Sequence, residues 1–240
     1  MNNFNETDMD FFLENIYNNT FLNNKGGMCS CDMFTLYISL KNLKPKVVIE
    51  SGVWNGLSTK LIRKVLGDDV IIICLDPREI PSNGFIDKNK NTIYYTGKKF
   101  IDFKDLNLNN YNKDEILCFF DDHQNAIVRL LQCKSKKIKH IFYNDNYPPN
   151  CGSHFTIQHL KYNDNRFNLF NNNQKKLILN LIQEEYIFPN IYPGKIKTGE
   201  GLFNSTSYFK NTNNNINNKK YNIFKLEREK YRWNTYIKLN

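Results

Sequence analysis

VVIESGVWNGLSTKLIRKVLGDDVIIICLD, residues 47–76, carries the reading of the fold. It opens on Val47, Val48 and Ile49, a short β-branched run suited to a buried strand. A helix follows over 57–66, begun by Ser58 or Thr59 and stopped at Gly67. Residues 70–75 form a second apolar run of strand length. Strand, turn, helix and strand make a βαβ unit, whose strands lie parallel and whose crossover is right-handed.

The alternation continues on both sides. Upstream, residues 32–43 read as a helix with Met33, Leu36, Tyr37 and Leu40 on one face, closed by Lys44 and Pro45. Downstream, strands are expected at 92–96, 115–120 and 138–143, with a helix at 126–133 between the last two. A further helix is expected over 174–186, and residues 211–219 form a low-complexity polar loop. The segment YNIFKLEREKYRWNTYIKL alternates on either side of a charged turn, which predicts an antiparallel hairpin of 221–226 with 232–239. The fold class is therefore α/β: a Rossmann-like, doubly wound, mostly parallel sheet with a C-terminal antiparallel hairpin. It is one domain over 26–240, preceded by a polar extension at 1–25 with an amphipathic stretch around Phe11, Phe12, Leu13 and Ile16.

Composition narrows the partners. The 240 residues are 40% hydrophobic and 14% aromatic, enough for one packed core. Mean hydropathy is −0.59, and no apolar run approaches the roughly 18–20 residues of a membrane span. The first residues show no basic segment leading into an apolar one, so a soluble, intracellular protein is expected, with no membrane partner. The net charge of +9 is spread among Asn and acidic residues without a dense basic run. That favours a solvated surface and leaves a nucleic-acid partner as the weaker reading. Cys29 and Cys31 are spaced C-x-C, not as a paired zinc-ligand motif, so the six cysteines read as reduced structural thiols.

The first turn carries the chemistry. Gly52 and Gly56 stand between a strand and a helix, where a side chain would block a ligand from the backbone and where free N–H groups point outward. The spacing is G-x-x-x-G and not the dinucleotide G-x-G-x-x-G. The second strand ends in Asp76, at the position from which an acid can hold a ribose diol. Glu50, the two glycines and Asp76 resemble motifs I and II of the class I S-adenosylmethionine-dependent methyltransferases. The run Glu50-Ser51-Gly52-Val53-Trp54-Asn55-Gly56 is similar to the glycine loop of macrocin-type sugar O-methyltransferases and of the cephalosporin hydroxylase-like group. The resemblance implies S-adenosylmethionine at Glu50, Gly52, Val53, Trp54, Asn55, Gly56, Ser58 and Asp76.

Two acid clusters follow at strand tips: Asp121-Asp122-His123 and Asn144-Asp145-Asn146. In a parallel sheet both fall on the edge that holds the glycine turn, and such oxygen donors suit a hard cation such as Mg²⁺. Asp122-His123 and Asp145-Asn146 resemble the corresponding pairs of catechol O-methyltransferase, which implies Mg²⁺ at Asp122, Asp145 and Asn146. In the cephalosporin hydroxylase-like register, Asn144 stands where that group has Glu. The catechol family's basic lysine is replaced by Asn125. Removal of a hydroxyl proton then falls to His123, which has the better position, to His154, or to the metal alone; His159 joins His154 as a candidate lining of the substrate mouth.

The implied activity is a Mg²⁺-assisted O-methyltransferase acting on a small hydroxylated substrate such as a sugar. A non-catalytic Rossmann binding domain is the alternative, and an RNA methyltransferase the third reading. The oligomeric state is left open.

Overall fold

The computed structural model describes residues 4–17, 27–167, 169–192, 195–198, 201–204, 208 and 219–240. The chain enters through α1 (Glu6–Phe11), where Asn5 and Asp8 cap each other's backbone amides, and runs on as a π-helical turn over Phe12–Tyr17. Met9 and Phe12 are fully buried, and Phe12 packs against Phe34, Tyr37 and Phe224. This part of the Asn-rich leader thus supplies core. Helix α2 (Ser30–Leu43) is buried continuously from Ser30 to Leu40, more than the single face its spacing suggests, because the π-helical turn packs Phe12 on its outer side. It ends at Lys44 in the left-handed conformation (φ +49), just before Pro45.

Seven strands form one sheet: β1 (Val47–Ser51), β2 (Ile71–Asp76), β3 (Thr92–Thr96), β4 (Ile116–Phe120), β5 (His140–Tyr143), β6 (Ile182–Ile187) and β9 (Thr235–Leu239). Their order is β3-β2-β1-β4-β5-β9-β6, with β1 to β5 mutually parallel and β9 antiparallel to both neighbours. Helix α3 (Leu57–Leu66) links β1 to β2, and α4 (Ala126–Ser135) links β4 to β5. Beyond β5 lie α5 (Ile157–Lys161), α6 (Asn172–Leu179), a separate ribbon of β7 (Lys195–Thr198) with β8 (Gly201–Asn204), and α7 (Asn222–Leu226).

The alternation of each strand divides the core in two. Val48, Ile72, Cys74, Leu117, Phe119 and Phe142 face α1, α2 and α3. Ile49, Ile73, Cys118, Phe120, Ile141 and Ile237 face α4 and α5. Burial on both faces is why the parallel strands read as unbroken apolar runs. All six cysteines are buried, and none is in a disulfide. Among the described residues, no helix is long and apolar enough to cross a membrane.

Two sequence expectations change. The terminal antiparallel pair is β9 with β6, in register Tyr236↔Tyr186, and not 221–226 with 232–239. Residues 222–226 are helical instead, since turning Phe224 into the Phe12–Phe34 cluster buries it completely. The helix expected over 174–186 stops at Leu179, and its second half becomes the edge strand β6, whose Glu184 and Glu185 suit a solvent-facing sheet edge. The polar stretch 211–218 lies outside the described residues.

Candidate active site at the sheet's switch point

Between β1 and β4 the strand order reverses, and a crevice opens beyond their C-terminal ends. The ladder runs past the strand ends: Asp121 N donates to Ser51 O at 2.8 Å, and Asn144 N to Phe120 O at 3.0 Å. This brings the tips of β1, β4 and β5 to one level.

The turn after β1 is confined. Gly52 has φ +94, and a Cβ there would overlap the Asp121 carbonyl. Gly56 has φ +75, and a Cβ there would overlap the carbonyl of Phe85, whose amide donates to Asn55 O. Both positions therefore need glycine on conformation and on space. Glu50 lies beneath, fully buried, accepting from the hydroxyls of Ser58 and Thr59 and from the Cys74 thiol. Desolvation pushes its carboxyl up to about 7. Glu50 ties the first turn of α3 to β1 and stays out of the crevice, whereas Ser58 lines it.

Asp76 organises the same turn. Its Oδ2 accepts the amides of Val53 and Trp54, each at 3.0 Å, and its Oδ1 accepts Arg78 N at 2.9 Å and Arg78 Nε at 3.3 Å. Burial alone would raise this carboxyl, but the donors outweigh it and hold it below the ordinary range. Trp54 is exposed, with the Arg78 guanidinium 4.7 Å above its ring.

At the other tips, the structure brings Asp145 together with Asp121 and His123. Their ligand atoms lie within 4.8 Å of one another. His123 Nδ1 is 3.0 Å from Asp145 Oδ2, and this bond lifts the imidazole to about 9, so it is protonated at neutral pH. Desolvation and then repulsion from Asp145 push the Asp121 carboxyl well up. Asp145 Oδ1 and Asn144 Oδ1 are buried without a hydrogen-bond partner among the described residues.

Asp122 and Asn146 are not in this group. Asp122 also borders the cavity, but its carboxylate accepts from Ser51 Oγ at 2.7 Å and Arg129 Nε at 2.9 Å. Asn146 donates to Thr235 Oγ1 at 2.8 Å and accepts the Ile157 amide at 3.1 Å, joining β9 to the start of α5. Consecutive residues leaving a strand point to opposite sides, so a register error of one residue exchanges Asp122 for Asp121. Asn125 caps α4, accepting the amides of Ile127 and Val128. His154 sits beside His123, with ring centroids 5.7 Å apart. His159 is buried in the β5–α5 loop against the carbonyls of Pro148 and Cys151, away from any substrate mouth.

The glycine turn, Asp76 and the Asp121–His123–Asp145 group line one cavity of about 650 Å³. Its remaining wall contains residues the sequence did not single out. Asp32, 2% exposed, accepts the Cys29 thiol at 3.0 Å on Oδ2, while its Oδ1 is buried without a partner among the described residues. Desolvation raises its carboxyl to about 7. Arg232 lies opposite, its Nε 3.7 Å from Asp145 Oδ1. In the sequence Asp32 carries only the signal of a helix-capping acid, and Arg232 that of a strand residue.

No protein-family model matches the chain, and no curated protein matches it. Among solved structures, it is similar to cmcI with Mg and SAM, at 16% identity over 72% of this chain and 69% of that one, TM-score 0.42. A Klebsiella pneumoniae protein described as an O-methyltransferase is 11% identical over 97% and 90%, TM-score 0.45. The O-methyltransferase from Bacillus cereus in complex with SAH is 11% identical over 85% and 92%, TM-score 0.39.

Proposed function

We propose that this protein transfers a methyl group from S-adenosylmethionine to a hydroxyl oxygen of a small molecule such as a sugar. The observation that carries the reading is the single cavity at the switch point, shared by the glycine turn, Asp76 and the Asp121–His123–Asp145 group. Its volume lies in the range of cofactor and substrate sites, roughly 300–1,000 Å³.

The residues fit the cofactor in chemistry. Gly52 and Gly56 leave the backbone of Val53, Trp54 and Asn55 open to close approach, and Ser58 begins the helix that faces the cavity. Asp76 would hold the ribose. Its weakest donor, the exposed Arg78 Nε at 3.3 Å, is the one a ribose hydroxyl can replace. A divalent cation fits the second cluster: two carboxylates face each other, and the buried Asn144 Oδ1 beside them accepts no hydrogen bond among the described residues. When bound there, such an ion would supply positive charge that eases deprotonation of the acceptor hydroxyl.

The chain's own residues do the rest. Asp32 Oδ1 is an unpartnered acceptor buried in the cavity wall, and the hydroxyl proton passes to it while the hydroxyl oxygen attacks the sulfonium methyl carbon. The carbon–sulfur bond breaks with its electron pair remaining on sulfur. His123, already carrying a proton against Asp145, is poorly suited to that role. Displacement at carbon needs alignment more than acid–base strength, so the rigid turn contributes most by positioning.

The experiment is isothermal titration with S-adenosylhomocysteine, followed by tritium transfer from labelled S-adenosylmethionine to a panel of sugars and catechols. Binding and label in one acceptor class are expected. Absence of cofactor binding would leave only a non-catalytic domain.

A further inference from the structure

We infer that the cation site is built for a divalent transition ion of the manganese–iron–cobalt kind, with the His123 imidazole as a ligand, and not for Mg²⁺. The inference shares its site with the reading above and concerns which ion that site selects. Mg²⁺ demands a near-octahedral set of oxygens, whereas imidazole nitrogen suits the later first-row ions. Two of the polar side chains at the strand tips are already engaged. Asp122 is held by Arg129 and Ser51, and Asn146 by Thr235 and the α5 amides, so recruiting either would break a buried network. What remains is one nitrogen and two carboxylates, Asp121, His123 and Asp145, within 4.8 Å of one another, with the Asn144 carboxamide beside them, its Nδ2 donating to Asp121 Oδ1.

His123 is held for this purpose by the backbone. It adopts φ +53, an uncommon conformation outside glycine, and that turn directs its ring at Asp145 while leaving it accessible from the cavity. One further oxygen marks a missing partner. Asn144 Oδ1 is buried and without a hydrogen-bond partner among the described residues, on a residue lining this cavity, while Asp145 Oδ1 accepts no hydrogen bond and has the Arg232 Nε at 3.7 Å. A buried polar atom left in that state carries a desolvation cost that a cation or its water relieves. Three protein ligands on one side leave the side toward the cavity for oxygens of a substrate or solvent.

The test uses the metal alone. Chelator-stripped protein is titrated calorimetrically with CoCl₂, MnCl₂ and MgCl₂, without cofactor, alongside His123→Asn, which exchanges the nitrogen donor for an oxygen. Nitrogen–oxygen sites in general favour Co²⁺, so the comparison that decides is between wild type and variant. Expected are one equivalent of Co²⁺ bound by the wild type, and an affinity reduced about tenfold or more in His123→Asn. Mg²⁺ binding should change far less, and Asp145→Asn should lose both ions. Because His123 is largely exposed and Asn tolerates its left-handed backbone, the variant should fold, melting somewhat below the wild type for the lost ion pair to Asp145. Unchanged Co²⁺ affinity in His123→Asn, or Mg²⁺ bound as tightly as Co²⁺ by the wild type, would overturn the inference. So would loss of Co²⁺ binding in Cys29→Ser, which would assign the ion to a thiol. Since no cofactor is present, these outcomes are independent of whether S-adenosylhomocysteine binds.

Discussion

A Cβ on Gly52 would overlap the carbonyl of Asp121 and lie 2.9 Å from the amide nitrogen of Asp122. The tips of β1 and β4 therefore touch backbone to backbone at the floor of the cavity. Gly52→Ala adds this clash to the strain of φ +94, and the two together should cost about 2 kcal/mol or more. Urea unfolding should show the loss, and S-adenosylhomocysteine binding should fall with it. A variant as stable and as binding-competent as the wild type would refute the close-approach argument.

Asp76→Asn keeps the shape of the carboxylate but removes the charge that gathers the amides of Val53 and Trp54. Charge-assisted bonds of this kind contribute roughly 1.5–3 kcal/mol each, so cofactor affinity should drop about tenfold or more. Calorimetric titration of the variant checks this, and equal affinity would remove Asp76 from the site.

Asp32→Asn should reduce the methyl-transfer rate by about 10² to 10⁴ and leave affinity for S-adenosylhomocysteine nearly unchanged. Wild-type rate should climb as pH rises through about 7, because the carboxyl accepts a proton only once it has lost its own. Its neighbours in charge are Cys29, Arg232 and Asp145. A full rate in the variant, or a pH profile flat between 6 and 8, would assign proton removal elsewhere.

Glu50 gives a stability prediction. Its carboxyl keeps a proton to about pH 7 in the fold, against an ordinary value of 4.5. Between those values the folded chain holds more protons than the unfolded one, so stability falls as pH rises, by about 3 kcal/mol in total. Asp32 acts in the same direction, while Asp76, Asp87 and Asp164, all depressed, exert their effects only below the ordinary carboxylate range. Glu50→Gln should therefore flatten the decline in unfolding free energy between pH 5 and 8. A slope identical to that of the wild type would show that Glu50 does not titrate in this window.

The β1–α3–β2 unit was legible because β-branched runs buried on both faces leave little room for another assignment. Residues 221–226 were not: six side chains of mixed polarity fit a strand or a short helix, and only the distant Phe12 and Phe34 decide. The edge of the sheet that carries the site could be read from strand polarity alone. Which of Asp121 and Asp122 turns inward could not, because that depends on a rotation of one residue. Asp32 was hidden for a different reason. It reaches the cavity from α2, and no local pattern reports that a helix nearly ninety residues from β4's tip lies over it.

The position of β9 between β5 and β6 has a consequence for synthesis on the ribosome. Strands β1 to β5 emerge in an order that lets each find a neighbour already made, but β6 must wait some fifty residues for the strand that joins it to the rest. Until residues 235–239 leave the exit tunnel, the nascent chain presents the open flank of β5 to solvent, which makes this interval the one in which a holding chaperone has most to protect.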